Sequence, residues 1–369
     1  MTGLLPPALA VCLLLYLSYR YYPPLGGRQS KTRKKRAGQS ANYNGKKYIN
    51  YLPTPMDMDA VAIKGMLREQ IRRVPTRRPA TVLHPAVPAL DAAAPLKDAN
   101  VTWLGHSSVL VAMHGKRILF DPIFSKSASP FQFAGPKRFA GSKVIGVEDL
   151  PPVDVVVISH DHYDHLDYRT IKKLAATVSC FFVPLGVGAH LERWGIDVKC
   201  ITELDWWDSY KLDGITFTCT PSRHFSGRRL NDRFDTLWGS WVADDGDTRL
   251  FFSGDTGYGP HFRQIGKRFK SFDIALLECG QYDKRWPNIH MQPEQTALAC
   301  ADLHAARMLP IHWGAFQLAF HDWTDSVQRV LRAAEGMDFE VVTPRLGETF
   351  AAKGVSYPHD PWWQQPGIG

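Results

Sequence analysis

Val153-Asp154-Val155-Val156-Val157-Ile158-Ser159-His160-Asp161-His162-Tyr163-Asp164-His165 decides how this 369-residue chain is read. Residues 153–158 are apolar and β-branched, the pattern of a buried strand. His160 to His165 then crowds three imidazoles and two carboxylates into six consecutive positions. Neutral imidazole and carboxylate are ligands for zinc and similar divalent ions, and Asp164 offers an oxygen to a second ion. Asp167 stands where it can cap a helix running through Ile171, Leu174 and Ala175. The motif therefore falls on a strand-to-helix turn, where side chains converge on one point. It predicts a dinuclear metal site.

Outward from this turn, alternating and apolar runs predict strands at 101–104, 108–113, 117–121, 180–183, 198–203, 214–220, 236–243, 249–253, 272–277 and 308–311. His106 falls in the turn after the first of them. Helical periodicity intervenes at 167–177, 186–194, 294–306 and 324–334, with a shorter pattern at 58–73. Two groups of strands with helices between them predict an α/β fold in which two sheets pack together and are covered by helices. His224, Asp255 and His312 each lie just past the end of a predicted strand, as His160 does. Four strand ends carrying metal-type side chains can meet on one rim, and a carboxylate such as Asp255 can bridge two cations.

The net charge of +8 is unevenly placed. No acidic residue precedes Asp57, and nine basic residues lie within 1–47, so the remainder carries about −1. A near-neutral body argues against a nucleic-acid binder. The six cysteines are scattered, with no CxxC pair, and read as reduced thiols in apolar runs. Residues 4–22 are apolar apart from Ser18, Arg20 and the tyrosine hydroxyls, close to the ~20 residues of a membrane span. A cleaved signal fits poorly, because no basic region precedes the stretch. The basic cluster Lys31-Thr32-Arg33-Lys34-Lys35-Arg36 follows it. The positive-inside rule then predicts a single-pass anchor with the main domain on the cytoplasmic side, the basic cluster facing anionic headgroups. A segment lying in the membrane interface is the alternative.

Several blocks beyond the histidine motif carry a family likeness. Val101-Thr102-Trp103-Leu104-Gly105-His106, Asp121-Pro122-Ile123-Phe124-Ser125, Gly135-Pro136-Lys137-Arg138-Phe139, Glu203-Leu204-Asp205-Trp206-Trp207, Leu237-Trp238-Gly239-Ser240-Trp241 and Gly254-Asp255-Thr256-Gly257-Tyr258 occur in consistent order. Gln281 to Trp286, His290 with Pro293-Glu294, and Ile311-His312-Trp313-Gly314 continue them. With HxHxDH at 160–165, the chain resembles the metallo-β-lactamase superfamily, and within it the N-acyl-phosphatidylethanolamine-hydrolysing phospholipase D family. The run Leu276-Leu277-Glu278-Cys279-Gly280 departs from the less charged family pattern.

The resemblance implies an αββα four-layer sandwich over 96–355, after an anchor at 1–22 and a basic linker and partly ordered arm at 23–95, with a tail at 356–369. It implies two zinc ions, with manganese or iron also compatible with the donors. His160, His162 and His224 would hold one ion, Asp164, His165 and His312 the other, and Asp255 would bridge. His290 would orient the substrate phosphate or leaving group, joining Asp255 and Asp164 as catalytic residues. The implied substrate is a phospholipid, and a homodimer is implied as well. Phe124, Phe131 and Phe133 are read as acyl-chain or bilayer contacts, with a small local core as the alternative, and Tyr258 as a further substrate contact. A lactonase or hydrolase of a polar phosphorylated metabolite, or a non-catalytic membrane scaffold, are the competing expectations.

Overall fold

The computed structural model describes residues 16–17, 19–56, 59–72, 74–90 and 99–364. Most of the apolar stretch read as an anchor, residues 1–15 and 18, lies outside them. Among the described residues no helix is long and apolar enough to cross a membrane.

Two seven-stranded sheets form the centre. The first contains β1 (Asn100–Trp103), β2 (Val109–Met113), β3 (Lys116–Phe120), β4 (Val155–Val157), β5 (Cys180–Pro184) and β6 (Ile201–Leu204). The second contains β7 (Ser209–Leu212), β8 (Ile215–Thr220), β9 (Ser240–Asp244), β10 (Arg249–Phe252), β11 (Ile274–Glu278), β12 (Arg307–Ile311) and β13 (Glu340–Val341). β14 (Thr349–Ala351) returns to pair antiparallel with β1 at the edge of the first sheet. β3 to β6 run parallel, as do β10 to β13.

Side-chain alternation builds the layers. Ile118, Phe120, Val155, Val157 and Phe182 point to the space between the sheets and pack with Phe217, Trp241, Leu250 and Phe252. Their neighbours Leu119, Val156, Phe181 and Val183 point the other way, against Ile171, Leu174 and Leu191 of the helices Tyr168–Leu174 and Gly188–Arg193. Both faces are dry, which is why the central strands read as continuous apolar runs. The second sheet is covered by the helices His261–Phe269, Pro293–Asp302 and Asp325–Ala334. Helix, sheet, sheet, helix is the resulting order.

Several elements differ from the sequence expectation. The run at 198–203 opens as a 3-10 turn, Val198–Cys200, whose Lys199 N–H is taken by the side chain of Asp197. Residues 236–239 are loop rather than strand, because the Thr236 hydroxyl donates to Asp161 at 3.0 Å. The polar edge strand β7, the short β13 and β14, and the helix His261–Phe269 lie outside the predicted elements.

The segment after residue 22 is fastened to the body. Leu25 is buried, and Tyr48 joins the main core. Arg33 bonds Glu192 at 2.7 Å and Glu203 at 3.1 Å, so this member of the basic cluster is neutralised within the fold. At the other end Trp362 stacks on Trp313 with ring centroids 5.4 Å apart.

Trp241 links the sheets directly: its indole N–H donates to the Ile158 carbonyl at 2.9 Å, two residues before His160. Trp241→Phe leaves that buried carbonyl without its donor and is expected to cost about 1–3 kcal/mol. Urea unfolding should show a lower midpoint with an unchanged slope.

Candidate metal centre

The parallel strands deliver their C-terminal ends to one rim. β3 ends just before Asp121, β4 at the histidine turn, β10 before Asp255 and β12 before His312. The turn is pinned by Asp121, whose Oδ1 accepts the Ser159 N–H at 2.7 Å and whose Oδ2 accepts the Ser159 hydroxyl at 2.5 Å. Leu166 N–H closes the turn on the His162 carbonyl at 2.8 Å. Asp167 caps the following helix and also accepts the Ser125 hydroxyl at 2.9 Å, tying the Pro122–Ser125 loop to it.

Two groups of donors converge on this rim. His160, His162, His224 and Asp255 form one, and Asp164, His165 and His312 form the other together with His106. In the first, His160 Nε2 lies 2.9 Å from His162 Nδ1, and His224 Nε2 lies 3.2 Å from that same atom. In the second, His165 Nε2 lies 3.2 Å from Asp164 Oδ2 and 3.1 Å from Asp255 Oδ2. Asp255 Oδ1 is 3.3 Å from His312 Nδ1, so the two oxygens of Asp255 face both groups. His165 Nε2, His312 Nε2 and Asp255 Oδ1 are buried without a hydrogen-bond partner. Lone pairs from several directions aimed at shared points suit divalent cations.

The surroundings fix which ring nitrogens are free. His165 Nδ1–H donates to Asp121 at 2.7 Å, and His224 Nδ1–H to the Ile289 carbonyl at 2.8 Å, leaving Nε2 of each for the centre. Asn50, from the arm, clamps the His224 backbone by two bonds of 2.8 and 3.1 Å. His106 Nε2–H donates to Asp164 at 2.9 Å, and the Ser107 hydroxyl meets His312 Nδ1 at 3.0 Å.

Burial and neighbouring imidazoles hold His160, His224 and His312 well below the ordinary histidine value. They are neutral donors. Burial would lower His165 too, but Asp255, Asp164 and Asp121 carry it well above that value. Burial pushes Asp255 up to about 6, against the opposing pull of His165. A cation would replace the proton that His165 and the carboxylates compete for.

All seven sequence-predicted donors thus lie on this rim. His290 joins them: its ring is 5.2 Å from that of His224 and 5.3 Å from that of His312, and it shares a group with Asp255 and His312. Tyr258 is turned elsewhere, its hydroxyl donating to Asp302 at 2.6 Å on the outer helix layer. Phe124 packs half-buried against the first helix layer. Phe131 and Phe133 are exposed, 42% and 83%. Of the tryptophans, Trp206 is core, its N–H donating to the Trp238 carbonyl.

His106, Asp121 and Glu278 touch the site without having been selected from sequence. Gly105-His106 and Asp121-Pro122 did carry a signal, since both are turn sequences inside family-like blocks. His106, Asp121 and His312 all adopt positive φ, 54°, 38° and 68°, a conformation that non-glycine residues hold only when their surroundings impose it. Asp121→Ala is expected to weaken divalent-cation affinity by about 10–100-fold, read by competition with a chromophoric chelator. The same titration on His106→Ala reports how far Asp164 depends on its imidazole.

Comparison with known proteins places this geometry. Residues 116–313 match the family model described as beta-lactamase superfamily domain. The chain is similar to the uncharacterized protein Rv0906 of Mycobacterium tuberculosis, 41% identical over 331 residues, 88% of each chain. It is 34% identical over 268 residues to N-acyl-phosphatidylethanolamine-hydrolyzing phospholipase D 1 of Caenorhabditis elegans, spanning 68% of this chain and 75% of that one. Among solved structures, the isothiocyanate hydrolase from Delia radicum gut bacteria superposes with a TM-score of 0.55 at 22% identity, over 69% of this chain and all of that one, a likeness of fold. The chain is a metal-dependent hydrolase of the metallo-β-lactamase superfamily, in the branch that includes relatives named N-acyl-phosphatidylethanolamine-hydrolysing phospholipase D.

Proposed function

We propose that this hydrolase is a phospholipase D-type phosphodiesterase that cleaves N-acyl-phosphatidylethanolamine to N-acylethanolamine and phosphatidic acid. One observation carries the reading beyond the family. A largely apolar cavity of about 900 Å³, lined by Tyr22, Leu25, Phe131, Phe133 and Leu230 with Arg228 and Arg229 at its wall, meets the donor-bearing turn at Tyr163. Tyr163 belongs to the histidine turn itself, and its hydroxyl donates to the Arg228 carbonyl on the opposite wall. Tyr22 and Phe131 stack at 5.1 Å to join the arm to the loop 123–139. A long acyl chain would fill such a space, while a small polar metabolite would leave its apolar wall wet.

Two divalent ions, which we take to be zinc, would be held by His160, His162 and His224 and by Asp164, His165 and His312, with Asp255 shared. When bound they supply a water of lowered pKa and neutralise phosphate charge. The protein's own part is to place and move protons. Asp255 orients the attacking water and takes its proton, the water oxygen bonds to phosphorus as the phosphorus–oxygen bond to the N-acylethanolamine breaks, and the proton returns to the departing alkoxide oxygen. His290, standing over both donor groups, bonds the phosphate or the departing oxygen.

Phe133 and Leu230, 83% and 94% exposed, form an apolar lip at the cavity. With the apolar N-terminal stretch as an anchor, this lip would rest on the cytoplasmic face of a membrane.

Purified protein loaded with two ions should release N-acylethanolamine from mixed micelles of the lipid. Asp255→Asn should slow that release by about 100-fold or more. Phe131→Ser with Phe133→Ser should raise KM for the long-chain lipid and leave hydrolysis of a small soluble phosphodiester unchanged. A fully loaded enzyme that opens lactones or soluble phosphodiesters and spares the lipid would overturn the proposed substrate.

A further inference from the structure

Glu278 ends β11 and is fully buried. Such a carboxyl is costly in a dry interior unless its oxygens are used. One oxygen is. Oε1 accepts the Met291 N–H at 2.9 Å and the Thr256 N–H at 3.4 Å, so two backbone segments hold the carboxyl plane. The backbone around it is equally fixed, with Glu278 N–H on the Ser253 hydroxyl at 2.9 Å and the Thr296 hydroxyl on its carbonyl at 2.9 Å. Oε2 is left over: buried, and without a hydrogen-bond partner.

The imidazole of His290 faces it. His290 Nδ1 is buried, has no hydrogen-bond partner either, and lies 3.5 Å from Oε2. Two orphaned atoms of complementary kind, one on a clamped carboxyl and one on a ring, need only a few tenths of an ångström to bond. The ring plane is already set, because His290 lies parallel to His312, 13° between planes, and edge-on to His224.

We propose that Glu278 is the positioning partner of His290: its Oε2 shares a hydrogen bond with Nδ1 and thereby presents Nε2 to the space between the two donor groups. Glu278 does not touch substrate. It fixes the orientation of the one candidate catalytic imidazole whose Nδ1 is not held by another group. His224 and His165 are oriented by different bonds, their Nδ1–H groups donating to the Ile289 carbonyl and to Asp121. The inference rests on the role given to His290 above.

The test is a double-mutant cycle on the metal-loaded full chain, with kcat, KM and ion content measured for Glu278→Leu, Glu278→Gln, His290→Ala and the double variant Glu278→Leu/His290→Ala. Glu278→Leu should lower kcat about 10–100-fold with KM and two-ion content unchanged. Glu278→Gln, whose amide can still bond Nδ1, should recover most of the rate. In the His290→Ala background, Glu278→Leu should have no further effect. An equal loss in that background, loss of ions in Glu278→Gln, or a wild-type rate in Glu278→Leu would overturn the proposal.

Imidazole ¹⁵N resonances, with His290 assigned by its loss in His290→Ala, give a readout independent of turnover. The His290 Nδ1 signal should shift in Glu278→Leu, and an unmoved signal also overturns the pairing. If His290→Ala keeps full activity while that signal still depends on Glu278, the catalytic role of His290 falls and the contact stands.

Discussion

Buried ring nitrogens and carboxylate oxygens forced to about 3 Å from one another are the constraint on which the rest depends. His162 Nδ1 faces nitrogens of both His160 and His224, and His165 Nε2 faces two carboxylates. Bare, such a cluster repels itself and strands polar atoms that have lost their hydration. A cation at each group turns the same crowding into attraction. The folded chain is therefore a receptacle whose stability and chemistry both refer to a charge it is shaped to hold.

That receptacle is expensive to build, and the double sheet supplies the means. Parallel strands end together on one side, so β3, β4, β10 and β12 bring Asp121, the histidine turn, Asp255 and His312 to one edge. The left-handed backbone at His106, Asp121 and His312 costs of order 1 kcal/mol at each position. The packed layer between the sheets offsets it. The His106 N–H bonds the Trp313 carbonyl and the His312 N–H bonds the His106 carbonyl, at 3.0 and 2.9 Å, so two strained turns lock each other.

The ligand-bearing turn is legible in sequence because its chemistry is local: a β-branched strand, six residues dense in donors, and a capping aspartate. His224, Asp255 and His312 are legible for a related reason, since each follows an apolar run that reads as a strand without knowledge of its partners. What escapes is whatever depends on tertiary approach. His106 is 58 residues from the Asp164 it bonds, and nothing in the turn Gly105-His106-Ser107 says which way the imidazole points. The edge strand β7 escapes because its residues are polar and largely exposed, so pairing rather than pattern makes it a strand. Tyr258 stands three residues from Asp255, yet its hydroxyl turns to Asp302, a direction that spacing along the chain does not give.

The arm ties the apolar cavity and the donor rim into one structural problem. Its described residues wall the cavity at Leu25, neutralise Glu203 through Arg33, and reach the centre at Asn50, which grips both backbone polar groups of His224. Arg228 extends the linkage: its guanidinium donates to the carbonyl of Pro24 in the arm and to those of Asp161 and Leu166 flanking the ligand turn. A displacement of the arm at the cavity mouth would thus act on the backbone that aims His160, His162 and His224. Coupling of this kind needs no moving lid. It requires only that one segment be bonded at one end to the wall of the cavity and at the other to the backbone of the metal-donor side chains.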